Sequence, residues 1–361
     1  MTHQLVIVVE DDPFTRMIQV VLDPSTTAER RAAFADFFAH DEPDFEGWCE
    51  RVRRSAPALY PAEVRLVSTQ DELRASLPGA RALVVESFQV GRAEIDAADK
   101  LVVVQKYGMV TRNIDAAACA ARNIKFATLR RRANIACAEH TLALMLALAK
   151  KLHRIQGLIS IEQLEAAGYA PKMFDRRHTA SSNWARIGGL KMLFESTLGI
   201  VGLGEIGLEV ALRAAAFGMS VLYYQRHRLA ESEEQRLHAE YVPLDRLLAQ
   251  SDWVAIQLPG GPATRNLIDR ARLAQMKRGA CLINVSRADV VDRDALIAAL
   301  ATGHLGGFAL DPLYEEPGRP DDELLGFDNV ILTPHIAAQP RFNALDDIEE
   351  LIVGLARTLA S

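Results

Sequence analysis

Short apolar runs alternate with helical patterns along most of the chain, which is typical of parallel strands joined by crossover helices. The first series has strand-like runs at Leu5–Val9, Glu63–Ser68, Ala82–Val85 and Leu101–Val104, with a helical stretch at Gln70–Leu77. The second series begins at Thr197 and has these six runs: Leu198–Val201, Val221–Tyr224, Trp253–Gln257, Cys281–Val285, Gly307–Leu310 and Val330–Leu332. The pattern therefore predicts an α/β protein with two parallel sheets, the second of the doubly wound type.

Three segments depart from this alternation. Residues 24–60 are rich in charged and aromatic side chains, and we expect them to form helices packed on the first domain. Asn134–Lys150 is apolar on most of its circumference, which predicts a helix buried between domains or subunits. Because long apolar helices of this kind are usually buried across a two-fold axis, we expect a homodimer. Residues 155–189 are polar and irregular in pattern, so we expect an extended excursion there.

The composition narrows the class of protein. The chain has 361 residues, 49% apolar and 24% charged, which fits a globular protein of two domains and excludes bulk disorder. A net charge of −6 argues against nucleic acid or an anionic membrane as the main partner. The cysteines lie far apart, so neither a disulfide scaffold nor a zinc ribbon is expected. Because we find no export signal and no apolar helix long enough for a bilayer, we expect a cytoplasmic protein.

A glycine motif, Gly202-x-Gly204-x-x-Gly207, follows the first strand of the second series and opens an alanine-rich helix. In this context Gly202 makes a tight turn, Gly204 lets the backbone approach a pyrophosphate, and Gly207 lets helix and strand pack closely. The amide groups of the first helical turn, which begins with Glu205 and Ile206, then face the phosphates. The motif therefore predicts a dinucleotide-binding site.

The end of the next strand decides which nicotinamide cofactor is preferred. In NAD-specific folds an acidic residue at this place accepts a hydrogen bond from the ribose 2′-hydroxyl. Here Gln225 stands at that place, and Arg226 and Arg228 follow it. Because guanidinium groups bind phosphate through charge-assisted hydrogen bonds, we expect NADP to be preferred over NAD. The alternatives are that both arginines are solvated and that the site accepts either cofactor.

Three residues with chemistry suited to catalysis follow predicted strand ends: Arg287, Glu316 and His335. Open α/β sheets bind ligands at the carboxyl ends of their strands, so these side chains are expected on one edge. A histidine suits proton transfer near neutral pH, and a neighbouring carboxylate orients it and favours its charged form. A guanidinium holds a carboxylate at two points. Glu315 is the competing candidate for the carboxylate.

The chain resembles the D-isomer-specific 2-hydroxyacid dehydrogenase family in seven segments. These segments follow one another in the order typical of the family and cover most of residues 100–340. They are NIDAAACAARNI, AEHTLALMLAL, GIVGLGEIG, PGGPATRNLI, INVSRADVVDRDALIAAL, GFALDP with EEP, and NVILTPHIA. The resemblance implies two doubly wound, Rossmann-like domains with a cleft between them. It implies a discontinuous substrate-binding domain, residues 1–128 and 333–361, and an NAD(P)-binding domain, residues 129–332.

The resemblance also implies roles for individual residues. Arg287 is expected to hold the substrate carboxylate and carbonyl, and Glu316 to pair with the acid/base His335. Other residues are implied to bind the ligands: Leu258, Pro259 and Asp311 the cofactor, with Asp311 on the nicotinamide carboxamide, and Gly108, Met109 and Val110 the substrate carboxylate. The alternative for Asp311 is a turn cap before Pro312. The loop departs from the family pattern at Val110 and Arg112.

These features predict an oxidoreductase that transfers a hydride between NADP(H), or NAD(H), and a small 2-keto or D-2-hydroxy acid. No metal is expected. The alternative from another class is a dinucleotide-sensing regulatory protein, as in the family's corepressor branch. Arg112 and Arg130–Arg132 either enlarge the anion site, which suits a substrate with a second acidic group, or form a solvated basic face.

Overall fold

The computed structural model describes residues 5–360 and divides them into two compact units. One unit comprises the chain up to Ala136 together with the chain from Ala338 onward, and the other is Cys137–Ala337. The boundaries therefore lie a few residues beyond the predicted ones at residues 128 and 332. Each unit is built on its own parallel sheet.

The first unit contains a five-stranded parallel sheet. Its strands are β1 (Leu5–Glu10), β2 (Ala62–Val67), β3 (Ala82–Val85), β4 (Val103–Lys106) and β5 (Lys125–Ala127). They lie in the order β2-β1-β3-β4-β5, so the chain direction across the sheet reverses after β2. This is a doubly wound arrangement, and ligands of such sheets bind beyond the carboxyl ends of the strands.

Helices cover both faces of this sheet. They are α1 (Arg16–Leu22), α2 (Ala28–Phe38), α3 (Phe45–Ser55), α4 (Gln70–Ser76), α5 (Arg92–Ala97), α6 (Ala116–Ala121) and α15 (Phe342–Ala360). The core on one face joins α1, α3 and α15, and it includes the stacked rings of Phe38, Phe45 and Trp48. The other face carries a second apolar core under α4, α5 and α6. The helices predicted within residues 24–60 are thus confirmed.

The second unit contains a seven-stranded parallel sheet. Its strands are β6 (Thr197–Val201), β7 (Ser220–Tyr224), β8 (Ala239–Tyr241), β9 (Trp253–Ile256), β10 (Cys281–Asn284), β11 (Gly307–Leu310) and β12 (Val330–Leu332). The order is β12-β11-β10-β9-β6-β7-β8, so the winding reverses between β6 and β9. All six predicted strands are present, and β8 is an additional strand at one edge.

The helices of the second unit begin with the long α7 (Arg132–Lys150), whose first residues belong to the first unit. The others are α8 (Leu152–Ile155), α9 (Ile161–Ala166), α10 (Glu205–Ala216), α11 (Glu231–Leu237), α12 (Leu244–Gln250), α13 (Arg270–Gln275) and α14 (Arg293–Ala301). Residues 167–196 contain neither helix nor strand, as expected for the excursion, although α9 interrupts it earlier. Within residues 5–360, we find no helix with the length and apolar character that crossing a bilayer requires.

Candidate functional site

The carboxyl ends of three adjacent strands carry the residues with catalytic chemistry. Because β10, β11 and β12 are parallel and neighbouring, the segments that follow them emerge at one edge of the sheet. Arg287 follows β10, Asp311 and Glu316 follow β11, and His335 follows β12. The expectation that these residues share one edge of one sheet is therefore met.

His335 and Glu316 form a direct pair. Nδ1 of His335 lies 2.9 Å from Oε2 of Glu316, whose Oε1 accepts a hydrogen bond of 3.0 Å from the backbone N–H of Leu313. Burial by itself raises the pKa of Glu316, but the hydrogen bonds from His335 and Leu313 outweigh it and hold that pKa below its ordinary value. An ionised carboxylate accepts only, so Nδ1 carries a proton. Nε2 is then the ring atom left for a ligand, and the side chain is half exposed.

Arg287 lies beside the loop that follows β9. Its residue is exposed, and its Nη1 donates to the backbone carbonyl of Ser286 at 2.7 Å. The aliphatic stem crosses Gly260, where a Cβ would lie only 2.9 Å from Cγ of Arg287. Gly260 therefore gives the arginine stem the room it occupies. Leu258 and Pro259 precede this glycine at the carboxyl end of β9.

Asp311 is fully buried and bonds to the turn that carries His335. Its Oδ1 accepts from Oγ1 of Thr333 at 2.6 Å and from the N–H of Ile336 at 2.9 Å, and its Oδ2 accepts from the N–H of Ala337 at 2.9 Å. Its backbone carbonyl accepts from the N–H of His335 at 3.1 Å. His335 has φ of +56°, a left-handed conformation that costs a non-glycine residue about 1–3 kcal/mol and needs such support. The predicted contact of Asp311 with the nicotinamide stays a prediction.

The glycine turn fits a dinucleotide phosphate. Gly202 has φ of +99°, and a side chain there would collide with the carbonyl of Gln257 and with Leu258 across the reversal point of the sheet. A side chain at Gly207 would collide with the carbonyl of Gly202, so helix and strand approach closely only because both are glycines. In contrast, a Cβ at Gly204 would meet nothing within 4 Å, so this backbone faces open space. Glu205 and Ile206 begin α10, as predicted.

The two arginines of the loop after β7 differ in whether they are paired with an acidic side chain. Arg228 donates from Nε and Nη2 to the carboxylate of Glu234 at 2.8 and 2.7 Å, and the hydroxyl of Tyr223 donates to the same carboxylate at 2.6 Å. The hydrogen bond to Arg228 is the largest cause that lowers the pKa of Glu234. Arg226 is exposed and makes no ion pair or hydrogen bond among the described residues. Gln225 bonds its own loop through the carbonyl of His227.

The residues predicted to hold a substrate carboxylate follow β4 in the first unit. Gly108 has φ of +148°, which L side chains rarely adopt, and Met109 and Val110 come directly after it. Of the nearby arginines, Arg112 is exposed, whereas Arg131 and Arg132 are paired with acidic side chains. Arg131 is buried, with an ion pair of 2.7 Å to Glu86. Arg132 bonds to Asp347 and Glu350 on α15 at 3.0 and 2.8 Å.

Comparison with known proteins identifies the family. Residues 142–337 match the profile of the D-isomer-specific 2-hydroxyacid dehydrogenase NAD-binding domain. The chain is 36% identical to glyoxylate reductase of Korarchaeum cryptofilum, over 67% of this chain and 68% of that protein. It is 34% identical to D-3-phosphoglycerate dehydrogenase of Archaeoglobus fulgidus, over 88% of this chain and 57% of that protein. The chain belongs to the D-isomer-specific 2-hydroxyacid dehydrogenase family.

Solved structures agree with this membership. A putative D-isomer-specific 2-hydroxyacid dehydrogenase from Polaromonas has a TM-score of 0.52 and 28% identity, over 86% of this chain and 93% of that one. The aligned part spans little more than half of the Archaeoglobus relative. Membership places this dehydrogenase among oxidoreductases that use a nicotinamide dinucleotide, and the regulatory alternative is not favoured.

The geometry of this dehydrogenase adds residues that sequence reasoning missed. Thr333 belongs to the same TPH segment as His335 but had no assigned role, and its hydroxyl is bonded to Asp311. His140, on α7, lies beside both Thr333 and Asp311. Gly260 had no signal beyond its place in the PGGPATRNLI loop. Spacing along the sequence does not predict such contacts, because the partners come from separate helices and strands that meet only in the folded protein.

Proposed function

We propose that this dehydrogenase reduces a small 2-keto acid to a D-2-hydroxy acid, with His335 as the acid/base. The observation that carries the proposal is the hydrogen bond between His335 and Glu316 at the carboxyl edge of the sheet. The same sheet carries the glycine turn after β6. Hydride transfer to a carbonyl requires a proton donor and a bound dinucleotide. The oriented histidine suits the first need, and the N-terminus of α10, at the same sheet, suits the second by binding phosphate.

Each residue has a defined part in the proposed step. Negative charge builds on the carbonyl oxygen of the substrate as the carbonyl carbon is reduced, and Nε2 of His335 gives that oxygen a proton. Glu316 fixes the ring so that Nε2 is presented to the substrate. The guanidinium of Arg287 binds the substrate carboxylate at two points and polarises the carbonyl. We propose that the first unit is the substrate-binding domain and that Gly108, Met109 and Val110 are its residues for binding a substrate carboxylate through backbone groups.

A bound nicotinamide dinucleotide supplies the hydride. Gly202, Gly204 and Gly207 leave room for its pyrophosphate beside the first turn of α10. Leu258 lies against Gly202, and Pro259 follows it; we propose that both also contact the cofactor. We propose that NADP is preferred, with the 2′-phosphate bound by Arg226. Arg228 contributes less, because Glu234 already occupies its guanidinium.

The substrate is proposed to be small and to carry one carboxylate. Named relatives include glyoxylate reductases. Two of the arginines that suit a second acidic group, Arg131 and Arg132, are instead paired with Glu86 and with acidic residues of α15. We further propose a homodimer in the cytoplasm, where four buried free cysteines stay reduced.

The test is the loss of NADPH or NADH absorbance with glyoxylate, hydroxypyruvate, pyruvate and an aryl 2-keto acid. Turnover that is faster with NADPH supports both the reaction and the assigned cofactor. Faster turnover with NADH keeps the reaction and removes the assignment of Arg226. Tight dinucleotide binding without turnover on any of these acids contradicts the proposal.

A further inference from the structure

A histidine that the proposed step does not use lies next to the support of His335. His140 is on α7, in the second unit, and its side chain is 17% exposed. Its Nε2 is 3.2 Å from Oγ1 of Thr333 and 3.4 Å from Oδ1 of Asp311. The neighbouring Glu139 on α7 instead pairs with Arg213. His140 thus faces the buried carboxylate behind the turn that presents the acid/base.

The protons in this group can be assigned from its geometry. Burial by itself raises the pKa of Asp311, but the hydrogen bond from His140, followed by those from Thr333 and from two backbone N–H groups, holds that pKa below its ordinary value. An ionised carboxylate has no proton to give, so the hydroxyl of Thr333 donates to Asp311 at 2.6 Å. The oxygen of Thr333 then has only lone pairs left for His140. Nε2 of His140 must therefore be the protonated nitrogen.

We propose that His140 is a positioning residue that fixes Thr333 and Asp311 and, through them, the turn that carries His335. The proposal rests on the proposed role of His335. The chain of contacts is short and continuous. Nε2 of His140 donates toward both Thr333 and Asp311, and Thr333 donates to Asp311. Asp311 also accepts from the N–H groups of Ile336 and Ala337. Loss of the first donor leaves Thr333 free to rotate and to give its proton to the carbonyl of Leu310, 3.5 Å away.

Two amide substitutions separate this role from simple packing. In His140→Gln, the amide nitrogen reaches about as far from the backbone as Nε2, so the donor is restored. In His140→Asn, the amide nitrogen corresponds to Nδ1, so the donor falls short of Thr333. The matched control is His304→Asn. His304 is half-buried and bonds the carbonyl of Leu273 at 3.1 Å, but it precedes β11 at the opposite edge of the sheet.

The experiment measures kcat, KM and dinucleotide Kd, together with backbone hydrogen exchange of the peptide that contains residues 333–337. We expect His140→Asn to lower kcat by about 10- to 100-fold, because small displacements of a reacting group have effects of this size. Dinucleotide Kd should change less than about twofold, and exchange at Ile336 and Ala337 should accelerate. His140→Gln should restore kcat and protection, and His304→Asn should change neither.

Several results overturn the proposal. One is unchanged kcat and unchanged exchange in His140→Asn. Another is an equal loss of kcat in His140→Gln and His140→Asn. A third is a lower thermal stability of His140→Asn while its folded fraction keeps the full kcat. Hydrogen exchange is read without substrate, so it also decides the case if the wild type reduces none of the acids tested. In that case, normal protection in His140→Asn refutes the positioning role. Faster exchange in His140→Asn, with protection restored in His140→Gln, supports the positioning role and means that only the proposed reaction is wrong.

Discussion

The proposed preference for NADP assigns the 2′-phosphate to Arg226, in the loop after β7, rather than to Arg228. Arg228 already donates two charge-assisted hydrogen bonds to Glu234, so any phosphate must compete with a carboxylate for the same guanidinium. Burial and the hydrogen bond to Glu234 raise the pKa of Tyr223 to about 12, so its hydroxyl stays a donor and holds Glu234 in place. Arg226 has no such partner among the described residues.

The perturbation is Arg226→Ala compared with Arg228→Ala. One hydrogen bond to a charged group contributes about 1.5–3 kcal/mol, so we expect Arg226→Ala to lower kcat/KM for NADPH by about ten- to hundred-fold. Because NADH lacks the 2′-phosphate, its kcat/KM should change by less than about threefold. Arg228→Ala removes the ion pair with Glu234 but no proposed phosphate contact, so it should change kcat/KM for NADPH and for NADH by the same factor. Gln225→Asp should shift preference toward NADH, since the carboxylate accepts from the ribose hydroxyl.

The assay is steady-state oxidation of NADPH and of NADH with the fastest 2-keto acid. Arg236→Ala is the control, because it removes one exposed positive charge that pairs with Glu233 on α11. A larger fall in the NADPH-to-NADH ratio for Arg228→Ala than for Arg226→Ala refutes the reasoning, since the phosphate then displaces Glu234. An unchanged ratio in both variants means that this loop does not bind the 2′-phosphate.

Four further outcomes are expected. His335→Asn should lower kcat by about 10²- to 10⁴-fold with dinucleotide Kd unchanged, and normal turnover would remove His335 from the step. Gly260→Ala should raise KM for the keto acid without unfolding the protein, because its Cβ displaces the stem of Arg287; an unchanged KM would contradict this. Because the pKa of Asp311 is lowered in the folded protein, its ionised carboxylate stabilises the fold above the ordinary carboxyl pKa, and this stability is lost as the pH falls. The free energy of unfolding in urea should therefore depend less on pH, between about 5 and 2, in Asp311→Asn than in the wild type. Burial raises the pKa of the Cys49 thiol to about 12, so it should react with a thiol reagent only after unfolding; fast reaction in the native protein contradicts this.

The central strands of both sheets were predictable because they are buried on both faces and appear as continuous apolar runs. Gly307–Leu310 coincides with β11, and Leu198–Val201 lies within β6. The edge strands β5 and β8 were not predicted, since each has three residues, KFA and AEY, and too short an apolar run. Their pairing with β4 and β7 comes from tertiary context rather than from local sequence.

The candidate site was predictable where a motif carries its own geometry. The glycine turn follows from Gly202 and Gly207, whose missing side chains are required locally. The pairing of Glu316 rather than Glu315 with His335 followed only from the resemblance, and the structure has this hydrogen bond. The ion pair between Arg228 and Glu234 was not predictable, because the loop arginine and the helix carboxylate come together only when β7 and α11 pack.

In the proposed site, the supporting carboxylate of Asp311 and the proposed acid/base His335 come from neighbouring strand ends. Asp311 has no exposed surface, and four groups of the 333–337 segment are bonded to its carboxylate and carbonyl. His335 leaves the same segment with a half-exposed ring, in a left-handed conformation that the bonds to Asp311 stabilise. A reacting group must meet its ligand and yet keep a fixed place, so the buried carboxylate and the exposed ring serve complementary needs. The parallel sheet allows this because β11 and β12 end side by side, one supplying the anchor and the other the histidine.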